Sequence, residues 1–241
     1  MHRLRLIALL LVLAAPATAQ IPETFTNLEV LPEGISRQEL IGIMRGFTFA
    51  LGVRCSTCHV GEEGQPLDEY DFASDDREPK RTARAMLRMV QTINGEFLAD
   101  IGTDLEVQCF TCHHGARRPE RLEDALVAAY TAAGADSLLS AYRGYRARYY
   151  GRAVFDFGPE SLVTTAERLA RIDGGVPAAV RTLELQTELF PEDGQGWVGL
   201  GNTLARAGDT TRAIAALERA GQILGMSPPL QRMINRLRGG Q

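Results

Sequence analysis

Apolar residues recur with helical spacing in two stretches of the N-terminal half. In the first stretch they follow the i, i+3, i+4, i+7 pattern of one helix face: Leu40, Ile43, Met44 and Phe47. Ser36 and Glu39 stand where a capping box needs them, so we predict that a helix starts here. Gly52 is expected to end it shortly before Cys55. The pattern therefore predicts an amphipathic helix and a short turn in front of that cysteine.

The second stretch follows a polar loop and begins at a proline. Pro79 suits the first turn of a helix, whose positive end is complemented by three nearby acids: Asp75, Asp76 and Glu78. The helix is predicted to run to about Asn94 or Phe97. Its apolar stripe consists of Met86, Val90, Ile93 and Phe97, with Met89 beside it. Another loop leads into Cys109, so the order of helix, turn and cysteine occurs twice.

The chain changes character near Glu120, where alanine, leucine and arginine dominate with helical periodicity. Small and apolar residues then recur at an offset of 34: Gly174 and Gly208, Ala179 and Ala213, Leu183 and Leu217. This spacing resembles the tetratricopeptide repeat, with units at residues 160–193 and 194–227. We expect one or two helices over residues 122–150 before the repeats and a capping helix over residues 230–237 after them. Solenoid surfaces commonly bind proteins, so we expect protein docking here.

These patterns predict a mainly α-helical fold, with two helix–turn–Cys-x-x-Cys-His units followed by a helical-repeat domain. The domains are expected at residues 20–119 and 120–241. Residues 1–19 have the parts of a signal peptide, namely a positive start, a short apolar run and small residues before the cut. We therefore expect a periplasmic or otherwise extracytoplasmic protein with no transmembrane segment after cleavage.

The candidate chemistry lies in two motifs of the same form: Cys55-Ser56-Thr57-Cys58-His59 and Cys109-Phe110-Thr111-Cys112-His113. Cys-x-x-Cys-His is the attachment signature of c-type haem, in which two thiols bind the vinyl groups and the histidine binds the iron. The chain has only these four cysteines. A redox dithiol, a Cys₄ zinc site or two small disulfide loops could use the same residues. Because histidine follows both cysteine pairs, we predict two covalently bound haem c groups.

The ligand on the far side of each iron can be narrowed by elimination. The chain has four histidines, of which three are accounted for: His2 in the signal, and His59 and His113 as near-side ligands. His114 adjoins His113 and cannot reach the opposite face of the same haem, and it could reach the other haem only if the two haems lie close together. Methionine is therefore the favoured far-side ligand. We assign Met44 to the first haem and Met86 to the second, with Met89 in reserve; the alternative is that these methionines only fill a core.

Residues 27–115 resemble the cytochrome c subunit of bacterial photosynthetic reaction centres. The similar stretches are residues 40–54, 71–75, 84–89, 93–94 and 109–113. In that family each of the first haem units has a helix bearing a Met ligand, then a turn and Cys-x-x-Cys-His, which supports Met86 over Met89. The well-known members carry four haems and a further histidine, whereas this chain has two motifs and Asp100 at roughly that position. The resemblance implies electron transfer in photosynthesis or respiration.

Composition narrows the classes of function. The net charge is −4 and the hydrophobic content is 45%, which is typical of a globular protein and does not favour nucleic acid as a partner. Lys80 is the only lysine, which we attribute to genome composition.

We predict an exported two-haem electron carrier rather than an enzyme. Its expected partners are redox proteins, with a membrane electron-transfer complex or a reaction centre as candidates. Two alternatives remain. A peroxidase-like two-haem enzyme would need an open iron and a distal acid/base group. A haem-bearing scaffold subunit would form part of a larger electron-transfer assembly.

Overall fold

The computed structural model describes residues 24–239, and the predicted signal peptide at residues 1–19 lies outside them. The described residues are mainly α-helical and contain no β-strand, which confirms the predicted fold class. The ten α-helices of this range are α1 (Arg37–Leu51), α2 (Cys55–Cys58), α3 (Glu78–Thr92), α4 (Cys109–His113), α5 (Leu122–Tyr149), α6 (Pro159–Leu169), α7 (Val176–Leu189), α8 (Gly194–Arg206), α9 (Thr210–Leu224) and α10 (Pro228–Gly239). A short 3-10 helix spans Leu67–Glu69 and a π-helical turn spans Ile93–Leu98.

Both helices predicted in the N-terminal half are confirmed. The side chain of Ser36 accepts from the Glu39 N–H and the Glu39 carboxylate accepts from the Ser36 N–H, so the capping box of α1 is complete. Gly52 ends α1 in the left-handed conformation, at φ 62°. Helix α3 has Pro79 in its first turn and passes directly into the π-helical turn. That turn was not predicted, and such turns are frequent near functional sites.

The chain divides into two compact units, whose boundary lies between Thr111 and Cys112. In the described part of the first unit only three side chains are buried, those of Leu40, Ala50 and Tyr70. Its exposed large apolar side chains are Phe49, Met86, Met89, Phe97, Ile101, Leu105 and Phe110. The first unit therefore has very little core of its own. The domain boundary at residue 120 stays a prediction.

The second unit contains α5–α10, and each helix packs on its neighbours in sequence. Helix α5 is interrupted at Ala133 and Gly134, so it comprises two helical segments within the predicted range. The core is formed by fully buried leucines and an aromatic ring: Leu126, Leu138, Leu162, Leu169, Leu183, Leu217 and Tyr142.

The predicted 34-residue offset is matched by equivalent environments in the structure. Gly174 and Gly208 both have left-handed backbones, at φ 70° and 84°, in the turns that follow α6 and α8. Ala179 and Ala213, at the next pair of positions, are both 0% exposed. The helical-repeat part of the predicted fold class is thus confirmed, because the two helix pairs repeat both turn and packing.

Within the described residues, none of the helices combines the length and the apolar character that crossing a bilayer requires.

Candidate haem sites

The first cysteine pair forms a single helical turn, α2, with His59 immediately after it. The His59 N–H donates to the Cys55 carbonyl at 2.9 Å, so both cysteines and the histidine belong to one hydrogen-bonded turn. The Asp71 N–H then donates to the Val60 carbonyl at 2.9 Å and closes the intervening loop. The motif itself produces this turn, and the turn fixes the order of the Cys55, Cys58 and His59 side chains along it.

His59 lies against an aromatic stack. The ring of Phe72 meets the imidazole edge-on, with centroids 4.9 Å apart, and Tyr70 stacks on Phe72 at 5.6 Å. The buried Tyr70 donates its hydroxyl to the Glu62 carbonyl at 2.6 Å. Gly61 permits this packing, since a Cβ atom there would lie 2.5 Å from the Tyr70 ring. The loop between the motif and α3 therefore shapes one wall around His59.

The environment of His59 favours a neutral imidazole. Burial lowers the pKa of His59, the positive charges of Lys80 and Arg84 lower it further, and the backbone of Phe72 opposes them. Its Nδ1 atom is buried and accepts or donates no hydrogen bond within the described part of the chain. Neutral imidazole is the form that can bind a metal ion through a ring nitrogen.

Lys80 organises the loop that carries Phe72. Its Nζ donates to the carbonyls of Phe72, Ala73 and Ser74 at 2.8–2.9 Å and lies 3.0 Å from Oδ1 of Asp75. A compact ammonium group can be surrounded by carbonyl oxygens in this way, whereas the planar guanidinium of arginine cannot. Sequence reasoning gave Lys80 no role. Its being the only lysine among many arginines was the signal that could have revealed one.

A second set of contacts ties the same loop to α3 and to the N-terminal segment. Nη1 of Arg84 donates to Oδ2 of Asp75 at 2.7 Å and to Oε1 of Glu29 at 2.8 Å. Asn27 donates its amide to the Ala73 carbonyl at 2.6 Å. Arg84 first, then Asn27 and Lys80, hold the pKa of Asp75 well below its usual range. The negative charge of Asp75 is thus part of what closes the loop over His59.

We expect Asp75→Asn to weaken the first unit at neutral pH and to flatten its acid denaturation. A carboxyl group whose pKa is depressed by folding stabilises the protein above its unfolded pKa of about 4, and this contribution is lost progressively as the pH falls from that value to the lower pKa of the folded state. Circular dichroism of both proteins between neutral and acid pH measures the difference. Asp76→Asn is the matched control, because Asp76 is an exposed neighbour with no ion pair among the described residues. Equal acid profiles for Asp75→Asn and the parent would contradict the assignment.

The second motif forms α4, which two polar side chains position. The amide of Asn94 donates to the Val107 carbonyl and accepts from the Val107 N–H, both at 2.9 Å. At the start of α4, Oγ1 of Thr111 accepts from the Gln108 N–H at 3.0 Å. The Asn94 contact joins the π-helical turn to the approach of the motif, which a periodicity argument cannot predict because 13 residues separate the partners.

A tight reversal after α4 orients His113. His114 and Gly115 are both left-handed, at φ 51° and 94°, and such a conformation is uncommon for a residue other than glycine. The reversal brings the Ala116 carbonyl to 3.0 Å from Nδ1 of His113. Because a carbonyl only accepts, Nδ1 must carry the proton, which leaves the lone pair on Nε2. A carbonyl that fixes the tautomer of a ligating histidine in this way is common at metal sites.

The predicted methionine ligands lie on two different helices. Met44 is half-buried on α1, and Met86 is 45% exposed on α3. Met89, the reserve, is 48% exposed on the same helix. The exposed fraction therefore does not distinguish Met86 from Met89 as the ligand. The assignments of Met44, Met86 and Met89 all stay predictions.

The residues present fit a c-type haem. The four cysteines are thiols, and each pair is followed by a histidine whose environment suits metal binding. Cys55 lines an open cleft of about 320 Å³ together with Val53 and Leu67. The exposed apolar side chains of the first unit are a surface that a large apolar group could cover. Among residues 24–239 no three His, Cys, Asp or Glu side chains are grouped so that they could hold a metal ion.

Two curated proteins resemble part of the chain. A cytochrome c-554 of Chloroflexus aurantiacus is 37% identical over 107 residues, which cover 43% of this chain and 23% of that protein. A photosynthetic reaction center cytochrome c subunit of Rubrivivax gelatinosus is 30% identical over 119 residues, which cover 39% of this chain and 30% of that protein. The chain thus spans less than a third of the length of these curated relatives.

The family description "Photosynthetic reaction centre cytochrome C subunit" matches residues 13–137, which is more than half of the chain. The match contains both Cys-x-x-Cys-His motifs, α1, α3 and the loop held by Lys80. By this match the chain belongs to the photosynthetic reaction centre cytochrome c subunit family.

Proposed function

We propose that the chain is an exported c-type cytochrome that binds two haems and carries electrons between redox proteins. Cys55 and Cys58 would attach the first haem, and Cys109 and Cys112 the second. The hydrogen bond from Nδ1 of His113 to the Ala116 carbonyl carries the proposal most directly. This hydrogen bond leaves the lone pair on Nε2 of His113, and His113 directly follows a cysteine pair of the attachment signature.

His59 and His113 would be the near-side ligands, with Met44 and Met86 on the far side. Bound haem supplies a one-electron iron couple, whose potential depends on axial ligands, hydrogen bonding and burial. The chain's own contribution is to orient the ligands. The ring of Phe72 contacts and orients His59, and the hydrogen bonds from Lys80 to the carbonyls of residues 72–74 hold that ring in place.

The two faces of α3 support separate haems. Lys80 and Arg84 lie on one face and donate hydrogen bonds to the loop beside His59. At 100° per residue, Met86 lies about 200° around the helix from Arg84. The face that bears Met86 thus points away from the first motif's loop, as expected if this methionine serves the second haem.

The second unit is proposed to be a tetratricopeptide-like domain that docks a redox partner. Its support is the 34-residue equivalence of turn glycines and buried alanines. Solenoid stacks of this kind present extended surfaces to other proteins. A membrane electron-transfer complex outside the cytoplasm is the candidate partner, in keeping with the family's description.

The deciding experiment is a pyridine haemochrome assay per mole of chain, on protein made with a c-type maturation system. We expect two covalent haems, and one in a Cys109→Ala/Cys112→Ala variant. No covalent haem in the parent would overturn the proposal and return the cysteines to thiol or disulfide chemistry. Two haems in the variant would show that the second motif is not an attachment site.

A further inference from the structure

The C-terminal half of α5 and the loop after it form a basic segment. Residues 137–155 contain four arginines and no acidic residue: Arg143, Arg146, Arg148 and Arg152. All but Arg146 are exposed, and none of the four makes an ion pair within residues 24–239. Several other arginines of the same unit are paired, such as Arg181 with Asp136 at 2.7 Å. The positive charge of this segment is therefore not balanced locally.

Two of these arginines are stacked on tyrosines. The guanidinium of Arg146 lies 4.3 Å from the ring centre of Tyr150, and that of Arg148 lies 5.0 Å from the ring centre of Tyr149. Tyr150 is nevertheless 63% exposed. A stacked guanidinium is held in place before it meets a carboxylate, and arginine and tyrosine dominate the energetically important positions of protein interfaces.

Helix electrostatics explains only part of this arrangement. Arg146 and Arg148 lie in the last turn of α5, where a positive charge complements the helix dipole. Arg143 precedes that turn and Arg152 lies beyond the helix. The dipole therefore does not account for the remaining two.

The complementary surface is present in the same sequence. Residues 20–111 carry 16 acidic and 8 basic side chains, a net charge of −8, whereas residues 112–241 carry 14 acidic and 16 basic ones, a net charge of +2. The most acidic part is the loop of residues 62–76, with seven acidic residues and no basic one. Glu62, Asp68 and Glu69 in this acidic loop are exposed and make no ion pair among the described residues.

We propose that the basic segment docks on the acidic loop of a second copy of this chain. Opposite charges on two different surfaces of one chain produce a head-to-tail contact, which forms rings or open chains rather than a two-fold dimer. An anionic membrane is the weaker alternative, because it would repel the net negative charge of residues 20–111. The contact would lie beside the first motif, since the acidic loop follows His59 directly.

Sedimentation equilibrium of the full signal-cleaved chain tests the proposal through charge swaps. We expect the average mass to rise with concentration at about 10 mM salt, and the rise to weaken on the order of tenfold at about 150 mM, where the Debye length falls from about 30 Å to about 8 Å. Arg143→Glu/Arg148→Glu should abolish self-association, and so should Glu62→Lys/Glu69→Lys. An equimolar mixture of the two variants should associate again, because each then offers the surface that the other lacks.

Arg232→Glu/Arg236→Glu is the matched control. It makes the same change of charge on exposed arginines of α10 that make no ion pair within residues 24–239, and it should associate like the parent. A parent that is monomeric at every concentration overturns the proposal, as does association that survives the Arg143→Glu/Arg148→Glu change. Failure of the mixture to associate would also overturn it, because complementary charge would then not account for the loss of association in each variant. Binding of the parent to anionic phospholipid vesicles without self-association would assign the segment to a membrane instead.

Discussion

Without covalently bound haem, residues 24–111 are expected to unfold while the second unit stays folded. The first unit buries only Leu40, Ala50 and Tyr70 among its described residues, which cannot offset the conformational entropy of ordering the segment. Several large apolar side chains remain at its surface. The second unit has two clusters of buried apolar residues along α5–α10 and needs no cofactor to bury its leucines. Haem would therefore supply most of the core of the first unit.

Limited proteolysis with mapping of the fragments measures this difference. The chain is made once in the cytoplasm without its signal and once through the maturation system, and the two products are digested side by side. We expect the cofactor-free product to leave a resistant fragment that starts close to Leu122, the first residue of α5. Leu183→Ala, in the core of the second unit, is the reverse control. It should lower the free energy of unfolding of that unit by about 2–5 kcal/mol and make the fragment sensitive to the protease in both products. Equal resistance of residues 24–111 with and without haem would contradict the prediction.

Replacing Met86 by alanine is expected to lower the reduction potential of one haem by on the order of 0.1 V, within the roughly 0.8 V range that axial ligands control. Loss of a thioether ligand removes the bond that favours the reduced iron. The other haem should keep its potential, because its proposed ligand Met44 lies on α1. A redox titration followed by absorbance resolves the two components.

Met89→Ala is the matched control for this experiment. The two methionines lie on the same helix and are 45% and 48% exposed, so general loss of apolar surface affects both variants alike. We expect the potentials of Met89→Ala to equal those of the parent. The opposite result, with Met89→Ala shifted and Met86→Ala unchanged, would make Met89 the ligand. Unchanged potentials in both would exclude α3 as the source of a far-side ligand.

The features that sequence alone established are those with short, regular spacing. Ser36 and Glu39 cap α1 because a capping box needs only residues three apart, and Gly52 ends the helix for an equally local reason. The Cys-x-x-Cys-His motifs and the offset of 34 between Gly174 and Gly208 belong to the same class. Each depends on the order of residues along the chain and on the periodicity of a helix.

The tertiary structure decided everything that depends on distant segments meeting. Lys80 gains its role only when the carbonyls of the loop before α3 converge on it, and Asn94 gains its role from Val107. The tautomer of His113 is set by a contact only three residues away, but that contact needs the left-handed backbones of His114 and Gly115, which helical periodicity does not predict. No periodic pattern encodes these contacts, because a hydrogen bond between non-neighbours depends on backbone direction and not on residue spacing. The same holds for the scarcity of buried side chains in the first unit, which only a three-dimensional packing can reveal.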